Sequence, residues 1–143
     1  KADLIILEGW CVGSKPIDPL YLKKNINDLE KINDPDMIWR TYVNDQLQTN
    51  YSELFKSFDK LIFLKAPGIK AVHKWRQEQE AKLAQKSDSL SMGIMNETQM
   101  SKFMQHYERL TRENLNHLPL LADVTMDLNE NHHVTSTFYR EKC

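Results

Sequence analysis

The chain has 143 residues, with 19 basic and 20 acidic side chains and a formal net charge of -1 at pH 7. Its 41% of hydrophobic residues is enough for a packed core, which excludes wholesale disorder, and its length fits one domain or part of one. The balanced charge argues against a nucleic-acid-binding surface over the whole molecule, and no apolar run approaches the roughly 18 residues that span a bilayer, so neither nucleic acid nor a membrane is an expected partner.

The first half of the sequence predicts one strand, a loop and two helices. Residues 3–7 form a short apolar run without alternation, which is typical of a strand buried on both faces of a parallel sheet. Residues 9–19 carry two glycines and two prolines and indicate a loop. A helix is predicted over about 20–32. A second helix is predicted to begin at the capping residue Asp36, and its apolar positions, expected to face the core, are Trp39, Tyr42, Val43 and Leu47.

The middle of the sequence predicts a strand followed by a helix. Residues 60–64 read as a second buried strand, stopped by an Ala-Pro-Gly sequence. The helix is predicted from 69 to about 86. Its apolar positions are Val72, Trp75 and Leu83, of which Trp75 is expected in the core. Residues 85–95, which contain serine, methionine and one glycine, are the best candidate for a flexible segment.

The last third predicts a long helix and two strands. Asn96 is a suitable cap for a helix whose apolar stripe runs along residues 100–118, and the methionine and aromatic part of that stripe, residues 100–110, is expected to be core. A third strand is predicted over residues 122–128. Residues 134–139 alternate between polar and apolar side chains, which suits a strand at the edge of a sheet.

This order of elements predicts the fold class. Strands separated by helical crossovers imply an α/β fold with a parallel sheet and helices on both faces. Three central strands are few for such a sheet, which suggests that further N-terminal strands belong to the same domain. Residues 1–143 are therefore interpreted as one portion of a domain.

The two cysteines predict the compartment of the protein, and the first residue predicts that the chain is part of a longer one. Cys11 and Cys143 are too few for a disulfide framework, so a reducing, cytoplasmic location is the default expectation. Cys11 has no base near it in sequence, which gives little support for a cysteine nucleophile. Because the chain begins at Lys1 rather than at methionine, we expect it to be a trimmed or cleaved part of a longer protein.

Ligands of open parallel sheets bind beyond the carboxyl ends of the strands. Three such ends are predicted, at residues 8–10, 65–67 and 127–133. Glu8 directly follows its strand, where nucleotide-dependent kinases hold Mg²⁺ or its water, and Mg²⁺ needs only one or two carboxylates besides substrate phosphates. The alternative is that Glu8 caps the next turn or pairs with a surface lysine.

Two further groups of polar residues are candidate sites. Arg76 and Glu80 are four apart and could form a solvated ion pair worth tenths of a kcal/mol. Arg76 also follows a strand end by about a dozen residues, so its guanidinium could fold over a triphosphate as a lid. His132 and His133 are adjacent and point apart, and without a cysteine or further histidine at ligand spacing they indicate loop polarity rather than a metal site.

Four sequence blocks resemble a known family when they are taken together and in order. They are LIILEGWCVG at residues 4–13, WRTYVN at 39–44, LKAP at 64–67 and WRQEQE at 75–80. They resemble the C-terminal half of D-glycerate 3-kinase, which belongs to the P-loop kinases related to uridine kinase and phosphoribulokinase. The resemblance runs from Lys1 to about Asp127. A weaker block, Met92-Gly93 with residues 98–107, departs slightly from the family's spacing.

The resemblance implies transfer of the γ-phosphate of ATP, with Mg²⁺ as cofactor, to a small hydroxylated acid, expected to be glycerate. It implies a P-loop kinase sheet as the fold. It places Glu8 at the acidic, metal-side position of the family, of the Walker B type. It places Arg76 and Gln79 in a lid that covers about residues 66–96.

The resemblance also implies binding positions on either side of the reacting phosphate. Trp10, Arg40 and Asn44 fall in blocks near the acceptor, where Arg40 would pair with a substrate carboxylate. The nucleotide base would lie around Asp127 and His133.

One family element is absent from the sequence. The phosphate-binding loop G-x-x-x-x-G-K-[ST], whose backbone N–H groups and lysine cradle the phosphates, does not occur in these 143 residues. The resemblance therefore implies an N-terminal half that carries it, upstream of Lys1. Without that half we expect the chain to be inactive.

Two alternatives stay open at this point. The first is a different acceptor, such as a nucleoside, pantothenate or a sugar phosphate, because one fold hosts many substrates. The second is a degenerate kinase-like module that binds a partner or a nucleotide without catalysis. An intact phosphate loop in the complete reading frame would favour an enzyme, and a degraded loop would favour the binding module.

Overall fold

The computed structural model describes residues 2–86 and 94–141 of the chain. In chain order the elements are α1 (Pro19–Leu22), a π-helical turn (Leu29–Asn33), α2 (Ile38–Gln48), α3 (Asn50–Lys56), β1 (Ile62–Lys65), α4 (Ile69–Lys86), α5 (Glu97–Leu121), β2 (Val124–Leu128) and β3 (Val134–Tyr139). Cys143 and most of the predicted flexible segment 85–95, with Met92-Gly93 of the weaker block, lie outside the described residues. Within the described part, no helix combines the length and the apolarity needed to cross a membrane.

The three strands form one mixed sheet in the order β1-β2-β3. β1 and β2 are parallel, with Ile62 opposite Val124, and α4 and α5 form the crossover between them. β3 is antiparallel to β2, with Tyr139 opposite Val124. The predicted α/β class, the strands predicted over 60–64 and 122–128 and the edge strand are confirmed. The sheet is mixed rather than wholly parallel, and β1 is not buried as predicted, since Ile62 and Leu64 are both exposed.

The predicted helix α5 contributes the largest fully buried hydrophobic side chains of the core. Asn96 and Gln99 form a reciprocal capping box, in which each side chain accepts from the other's amide at 2.9 Å. Met100, Met104 and Leu118 on this helix are all nearly inaccessible to solvent. The prediction that the methionine stripe is core is confirmed for Met100 and Met104.

Residues 3–7 are the clearest correction to the sequence prediction. They form no strand, and the side chains of residues 4–7 are 52 to 84% exposed. A strand buried on both faces is stabilised by its neighbours, through ladder hydrogen bonds and packing on each face. None of the strands in the described ranges pairs with this segment. Glu8 therefore follows an extended apolar segment rather than the end of a strand.

Helix α2 begins where it was predicted but is capped by a different aspartate. Asp34, not Asp36, accepts hydrogen bonds from the amides of Trp39 at 2.9 Å and Arg40 at 3.2 Å. Met37, at the helix start, has a left-handed backbone with φ of 62°. This turn brings the Asp34 carboxylate back over the free N–H groups of the first helical turn, which satisfies them.

The buried face of α2 is also not the predicted one. Arg40 and Asn44 are buried together with Leu47, whereas Trp39 is 68% exposed and Tyr42 is exposed as well. The polar side chains face inward because they have partners there, described below. The aromatic side of the helix faces outward, so only Leu47 of the four predicted core positions is fully buried.

The predicted helix over residues 20–32 is replaced by α1 and the π-helical turn. Asn27 and Glu30 use their side chains on the local backbone: Asn27 Oδ1 accepts from the Glu30 amide at 3.0 Å, and Glu30 Oε2 accepts from the Ile26 amide at 3.0 Å. Such bonds compete with the helical ladder. Arg109 of α5 fixes the segment from outside, donating from Nε to Glu30 Oε1 at 2.7 Å and from Nη2 to the Lys24 carbonyl at 2.6 Å.

Replacing Arg109 with methionine is expected to destabilise the protein by about 3–5 kcal/mol, because the buried Glu30 carboxylate would lose its main partner. Urea denaturation of the two proteins measures the change in the free energy of unfolding. Arg112→Met is the matched control, since Arg112 is half exposed and pairs with Glu108 four residues earlier on the same helix. Its expected cost is under about 1 kcal/mol. Equal costs for the two variants would contradict a structural role for the Arg109–Glu30 pair.

Asp123, between α5 and β2, makes stability depend on pH. The backbone N–H of Leu61, with the hydrogen bond from Lys60, holds the pKa of the Asp123 carboxyl below its usual range. A carboxyl whose pKa is lower in the folded state contributes stability that is fully present above the unfolded value, about 3.9, and is lost as the pH falls through the folded value.

We therefore expect Asp123→Asn to be less stable than the parent at neutral pH, and the difference to shrink below about pH 4. Urea midpoints measured across that range test this expectation. Asp59→Asn, a change at an exposed aspartate, is the control and should leave the pH profile unaltered. A parent-like profile for Asp123→Asn would show that the Leu61 contact does not stabilise the fold.

Candidate functional site

The candidate site is a cleft of about 490 Å³ between α4, the turn that follows residues 4–8 and the loop between β2 and β3. This volume is in the range of pockets that hold a nucleotide-sized ligand. Three of its nine lining residues carry aromatic rings, and its charged and amide groups lie on α4. The lining residues are Trp10, Val72, Trp75, Arg76, Glu78, Gln79, Lys82, Leu83 and His132.

Trp10 is held in place by a tight turn and by α5. The turn closes with hydrogen bonds from Val12 to the Gly9 carbonyl and from Ser14 to the Cys11 carbonyl, of 3.2 and 3.1 Å. The Trp10 indole N–H donates to the Thr111 hydroxyl at 2.9 Å. The indole also stacks on a tyrosine of α5, Tyr107, with ring centroids 4.8 Å apart. The ring thereby has a fixed orientation at the wall of the cleft.

Gly13 ends this turn in a conformation that favours glycine. Its φ is +83°, and a Cβ built on it would lie 3.0 Å from the Leu61 side chain. The close approach seats the turn against the residue that precedes β1. The position of Trp10 therefore depends on a glycine three residues after it.

Arg76 is fixed on α4 by three contacts. It donates from Nη1 to Gln79 Oε1 and from Nη2 to Glu80 Oε1, both at 2.8 Å. Its guanidinium carbon lies 5.4 Å from the centre of the Phe103 ring. Glu80 is buried and also accepts from the Met95 amide at 3.4 Å. The interpretation of Arg76–Glu80 as a solvated surface pair is therefore wrong, because the pair is largely shielded and the planar fork of the arginine is oriented.

Trp75 is not in the core, contrary to prediction, but forms the wall of the cleft beside the β2–β3 loop. Its indole N–H donates to the Glu130 carbonyl at 2.8 Å, and its ring packs on His132 with centroids 4.5 Å apart. His132 has a left-handed backbone, with φ of 64°, and its Nε2 lies 3.6 Å from a carboxylate oxygen of Glu78. Lys74 lies 3.6 Å from the Glu130 carboxylate. These contacts join the loop to α4.

The structure brings together three of the predicted site residues. Trp10, Arg76 and Gln79 line one cleft, although Trp10 is more than sixty positions before the other two. His132 lines it in place of its neighbour His133, which is exposed and is held by a backbone hydrogen bond to Asn129 Oδ1 at 3.0 Å.

Arg40 and Asn44 lie outside the cleft, inside the fold. Arg40 Nη1 donates to the Glu30 carbonyl at 3.2 Å and lies 3.6 Å from the Asp34 carboxylate. Asn44 clamps the backbone of Ile17, accepting from its N–H at 2.6 Å and donating to its carbonyl at 2.9 Å. Arg40 holds the segment that precedes α2, and Asn44 holds the loop that precedes α1. Their predicted contacts with an acceptor substrate stay predictions.

Asp127 lies near the carboxyl end of β2, opposite the last residue of β1. One of its carboxylate oxygens is 3.2 Å from Lys65 Nζ, and the other accepts from the Ser136 hydroxyl at 3.0 Å. Two of the three predicted strand ends thus meet, as parallel pairing requires. The predicted contact of Asp127 with a nucleotide base is not part of this geometry and stays a prediction.

Glu8 and Cys11 flank Trp10 and differ in character. Glu8 is exposed. Cys11 is half-buried, and burial raises the pKa of its thiol, so the thiolate that a nucleophile or metal ligand needs is disfavoured at neutral pH. Glu8 is therefore the accessible polar side chain at this turn.

Sequence reasoning missed Trp75, Glu78, Lys82 and His132 as lining residues. Helical periodicity could have found the first three, because positions 75, 78, 79 and 82 recur at intervals of three and four and lie on one face of α4. The location of His132 depends on its left-handed backbone and on the loop reaching α4. Neither feature can be predicted from the spacing of residues in the sequence.

Known proteins give this geometry a context. No family profile matches the sequence. The curated match is the uncharacterized kinase mug58 of Schizosaccharomyces pombe, 31% identical over 104 residues, which are 72% of this chain and 35% of that protein. Among solved structures, D-glycerate 3-kinase of Cryptococcus neoformans superimposes with a TM-score of 0.69 at 17% identity, over 98% of this chain and 51% of that one.

The fold is similar to that of D-glycerate 3-kinase. A second solved structure, of the YGR205w protein, matches with a TM-score of 0.54 at 21% identity over 92% of this chain and 46% of that one. The chain thus spans about half the length of these two structures and about a third of the curated relative. The resemblance to D-glycerate 3-kinase predicted from the four sequence blocks is confirmed in the fold.

Proposed function

We propose that the chain is part of an ATP-dependent P-loop kinase that transfers the γ-phosphate to the hydroxyl group of a small hydroxy acid, with glycerate as the first candidate. The observation that carries the proposal is the meeting of Trp10 with Arg76 and Gln79 in one cleft. These residues come from two of the blocks that resemble D-glycerate 3-kinase. The kinase names of two matched proteins support the reaction class.

The cleft supplies groups that suit a bound nucleotide. The rings of Trp10, Trp75 and His132 offer apolar surfaces for stacking. Arg76 and Lys82 add positive charge along the same face of α4. In phosphoryl transfer the protein acts mainly by positioning and by stabilising negative charge, so an oriented arginine beside an aromatic cleft fits that requirement.

Glu8 is the residue that would hold Mg²⁺. Its exposed carboxylate, two positions before Trp10, fits a cation that takes one protein carboxylate and completes its shell with phosphates and water. The described residues contain no group of three or more acidic, histidine or cysteine side chains that would form a complete protein cage. When bound, the cation would neutralise charge on the β- and γ-phosphates. Glu8 would orient it and Arg76 would stabilise the transferring group.

The product of the complete reading frame, assayed with ATP, Mg²⁺ and D-glycerate, tests the proposed function. We expect Glu8→Gln to lower kcat by about 100-fold, because a contact that stabilises transition-state charge is lost, while the melting temperature stays nearly unchanged because the side chain is exposed. Asp3→Asn, five positions earlier, is the control and should turn over normally. Parent-like turnover of Glu8→Gln would remove Glu8 from the mechanism, and no phosphorylation by the parent would overturn the proposed substrate.

A further inference from the structure

One row of side chains on α5 lies behind the cleft. Phe103, Tyr107 and Thr111 recur at intervals of four residues, so they follow one another along one face of the helix. Phe103 and Tyr107 belong to the weaker sequence block at residues 98–107. Neither ring is among the described residues that line the cleft. An effect of these two rings on a bound ligand must therefore pass through residues that do line it.

The two aromatic rings of this row connect the two walls of the cleft. At one end the Arg76 guanidinium carbon lies 5.4 Å from the centre of the Phe103 ring. The Phe103 ring is tilted by 45° against the ring of Tyr107, at a centroid distance of 5.0 Å. At the other end Tyr107 stacks on Trp10, with centroids 4.8 Å apart and an angle of 15° between the planes. Three rings and a guanidinium thus form one continuous array, which we call the ring array.

The Thr111 hydroxyl fixes the Trp10 end of the ring array. The indole N–H can only donate, so the hydroxyl oxygen accepts that bond, at 2.9 Å, and the hydroxyl proton is donated to the Tyr107 carbonyl at 2.8 Å. Three positions further along α5, Asn114 donates from Nδ2 to the Ser14 hydroxyl at 2.8 Å, and both side chains are buried. The turn that carries Trp10 is therefore attached to α5 at two points.

A buried carboxylate fixes the Arg76 end of the ring array. Glu80 is 7% exposed and accepts from Arg76 Nη2 at 2.8 Å. Because the guanidinium is planar, this hydrogen bond and the Phe103 ring together determine the plane in which it lies. A shift of the Phe103 ring therefore changes the direction in which Arg76 presents its N–H donors at the cleft.

We infer that Phe103 and Tyr107 are positioning residues of the cleft, and that through them the orientation of Arg76 depends on the orientation of Trp10. The kinetic part of this inference rests on the proposed function, in which a ligand stacks on Trp10 and Arg76 stabilises the transferring phosphoryl group. A ligand that contacts Trp10 then also stabilises, through the ring array, the orientation of Arg76 that the reaction uses. The two walls of the cleft act as a unit rather than as independent contacts.

Steady-state kinetics of the product of the complete reading frame, with ATP and D-glycerate varied in turn, tests the positioning role. Phe103→Leu removes the ring beside Arg76 but no group that lines the cleft, so kcat is expected to fall by about tenfold while both KM values change by less than about twofold. Tyr107→Leu is expected to lower kcat as well, although the Tyr107 ring contacts Trp10 rather than Arg76. Tyr107→Phe keeps the ring and should retain the parent kcat.

Phe55→Leu is the matched control for Phe103→Leu. Phe55 is half-buried, like Phe103, and its ring also contacts a tyrosine four residues away on its own helix, Tyr51, at a centroid distance of 5.8 Å. Phe55 lies outside the cleft, so this variant should leave kcat unchanged. Melting temperatures of all variants identify any loss of activity that comes from unfolding.

A spectroscopic measurement tests the ring array without any activity. NMR of the isotope-labelled product follows the exchange of the Trp10 indole proton with solvent, and the resonance is the one that Trp10→Phe removes. Of the described rings, Tyr107 alone contacts Trp10, so an effect of Phe103 on this proton has to be transmitted through Tyr107. Phe103→Leu is expected to speed the exchange by about threefold or more relative to Phe55→Leu.

Two results would overturn the inference. One is an exchange rate of the Trp10 indole proton that is the same in Phe103→Leu as in Phe55→Leu. The other is a kcat that is the same in Tyr107→Leu as in Tyr107→Phe. If the parent phosphorylates no glycerate, the proposed substrate is wrong, and the exchange rates alone decide whether the ring array positions Trp10.

Discussion

The 143-residue chain by itself is expected to phosphorylate no glycerate and to hydrolyse no ATP. Phosphoryl transfer depends on positioning and on charge stabilisation around the β- and γ-phosphates. These residues supply a carboxylate at Glu8 and an oriented guanidinium at Arg76, but their sequence contains no phosphate-binding loop. The aromatic cleft can retain weak contacts with a nucleotide, set by stacking rather than by phosphate anchoring.

Two measurements on the purified chain test this expectation. Calorimetric titration with ATP and Mg²⁺ should show weak binding, and a coupled assay should show no product above the protein-free rate. Circular dichroism provides the control that the chain is folded. Tight nucleotide binding or measurable glycerate phosphorylation by the chain alone would show that the residues present are sufficient and that the argument from the absent loop is wrong.

Arg76→Lys in the complete kinase is expected to lower kcat by about 10³-fold, because an arginine acting on the transferring phosphoryl group contributes on that order. Lysine keeps the positive charge. It cannot reproduce the planar fork that donates at once to Gln79 and Glu80 while the guanidinium lies over Phe103. The variant would therefore lack both the oriented guanidinium and its paired N–H donors.

Arg112→Lys is the matched control for Arg76→Lys, since Arg112 also bonds a glutamate four residues away on its own helix but lies outside the cleft. It should leave kcat unchanged. Melting temperatures of both variants separate a kinetic effect from unfolding. A near-normal kcat for Arg76→Lys would reduce Arg76 to a structural residue that holds Glu80.

The elements predicted correctly are those whose pattern is satisfied within the described chain. α5 has a strong cap at Asn96 and a regular apolar stripe. β1 carries an apolar run of strand length and has its parallel partner β2, in which apolar Val124, Met126 and Leu128 alternate with polar residues. Their stabilising contacts depend on residues that periodicity identifies directly. The predicted positions accordingly agree with the structure to within one or two residues.

The failures have a different physical origin. Residues 4–7 have the composition of a strand, but none of the strands in residues 2–86 and 94–141 pairs with them, and propensity alone does not produce a strand. In α2 the apolar side of the helix is predicted to face the core. Arg40 and Asn44 are buried instead, because Arg40 bonds the Glu30 carbonyl and lies beside the Asp34 carboxylate, and Asn44 bonds the backbone of Ile17. Which side of a helix is buried depends on what covers it, and that information lies in tertiary structure.

The candidate site was predictable only in part for a related reason. The block at residues 75–80 identifies Arg76 and Gln79, and the block at 4–13 identifies Trp10. The sequence of the blocks does not specify how far apart they lie in the folded structure. Their meeting depends on the Gly13 turn and on the stacking of Trp10 against Tyr107. Trp75 was assigned to the core because large aromatic side chains usually are buried.

The outward aromatic side of α2 gives the molecule separate optical reporters. The three tryptophans of the chain have two different environments. Trp39 on α2 is exposed to water, whereas Trp10 and Trp75 line the cleft. Cover over the outer side of α2 would shift the emission of Trp39 to the blue, whereas a nucleotide stacked in the cleft would quench the other two. Single-tryptophan versions of the protein would therefore report assembly and ligand binding as distinct fluorescence signals.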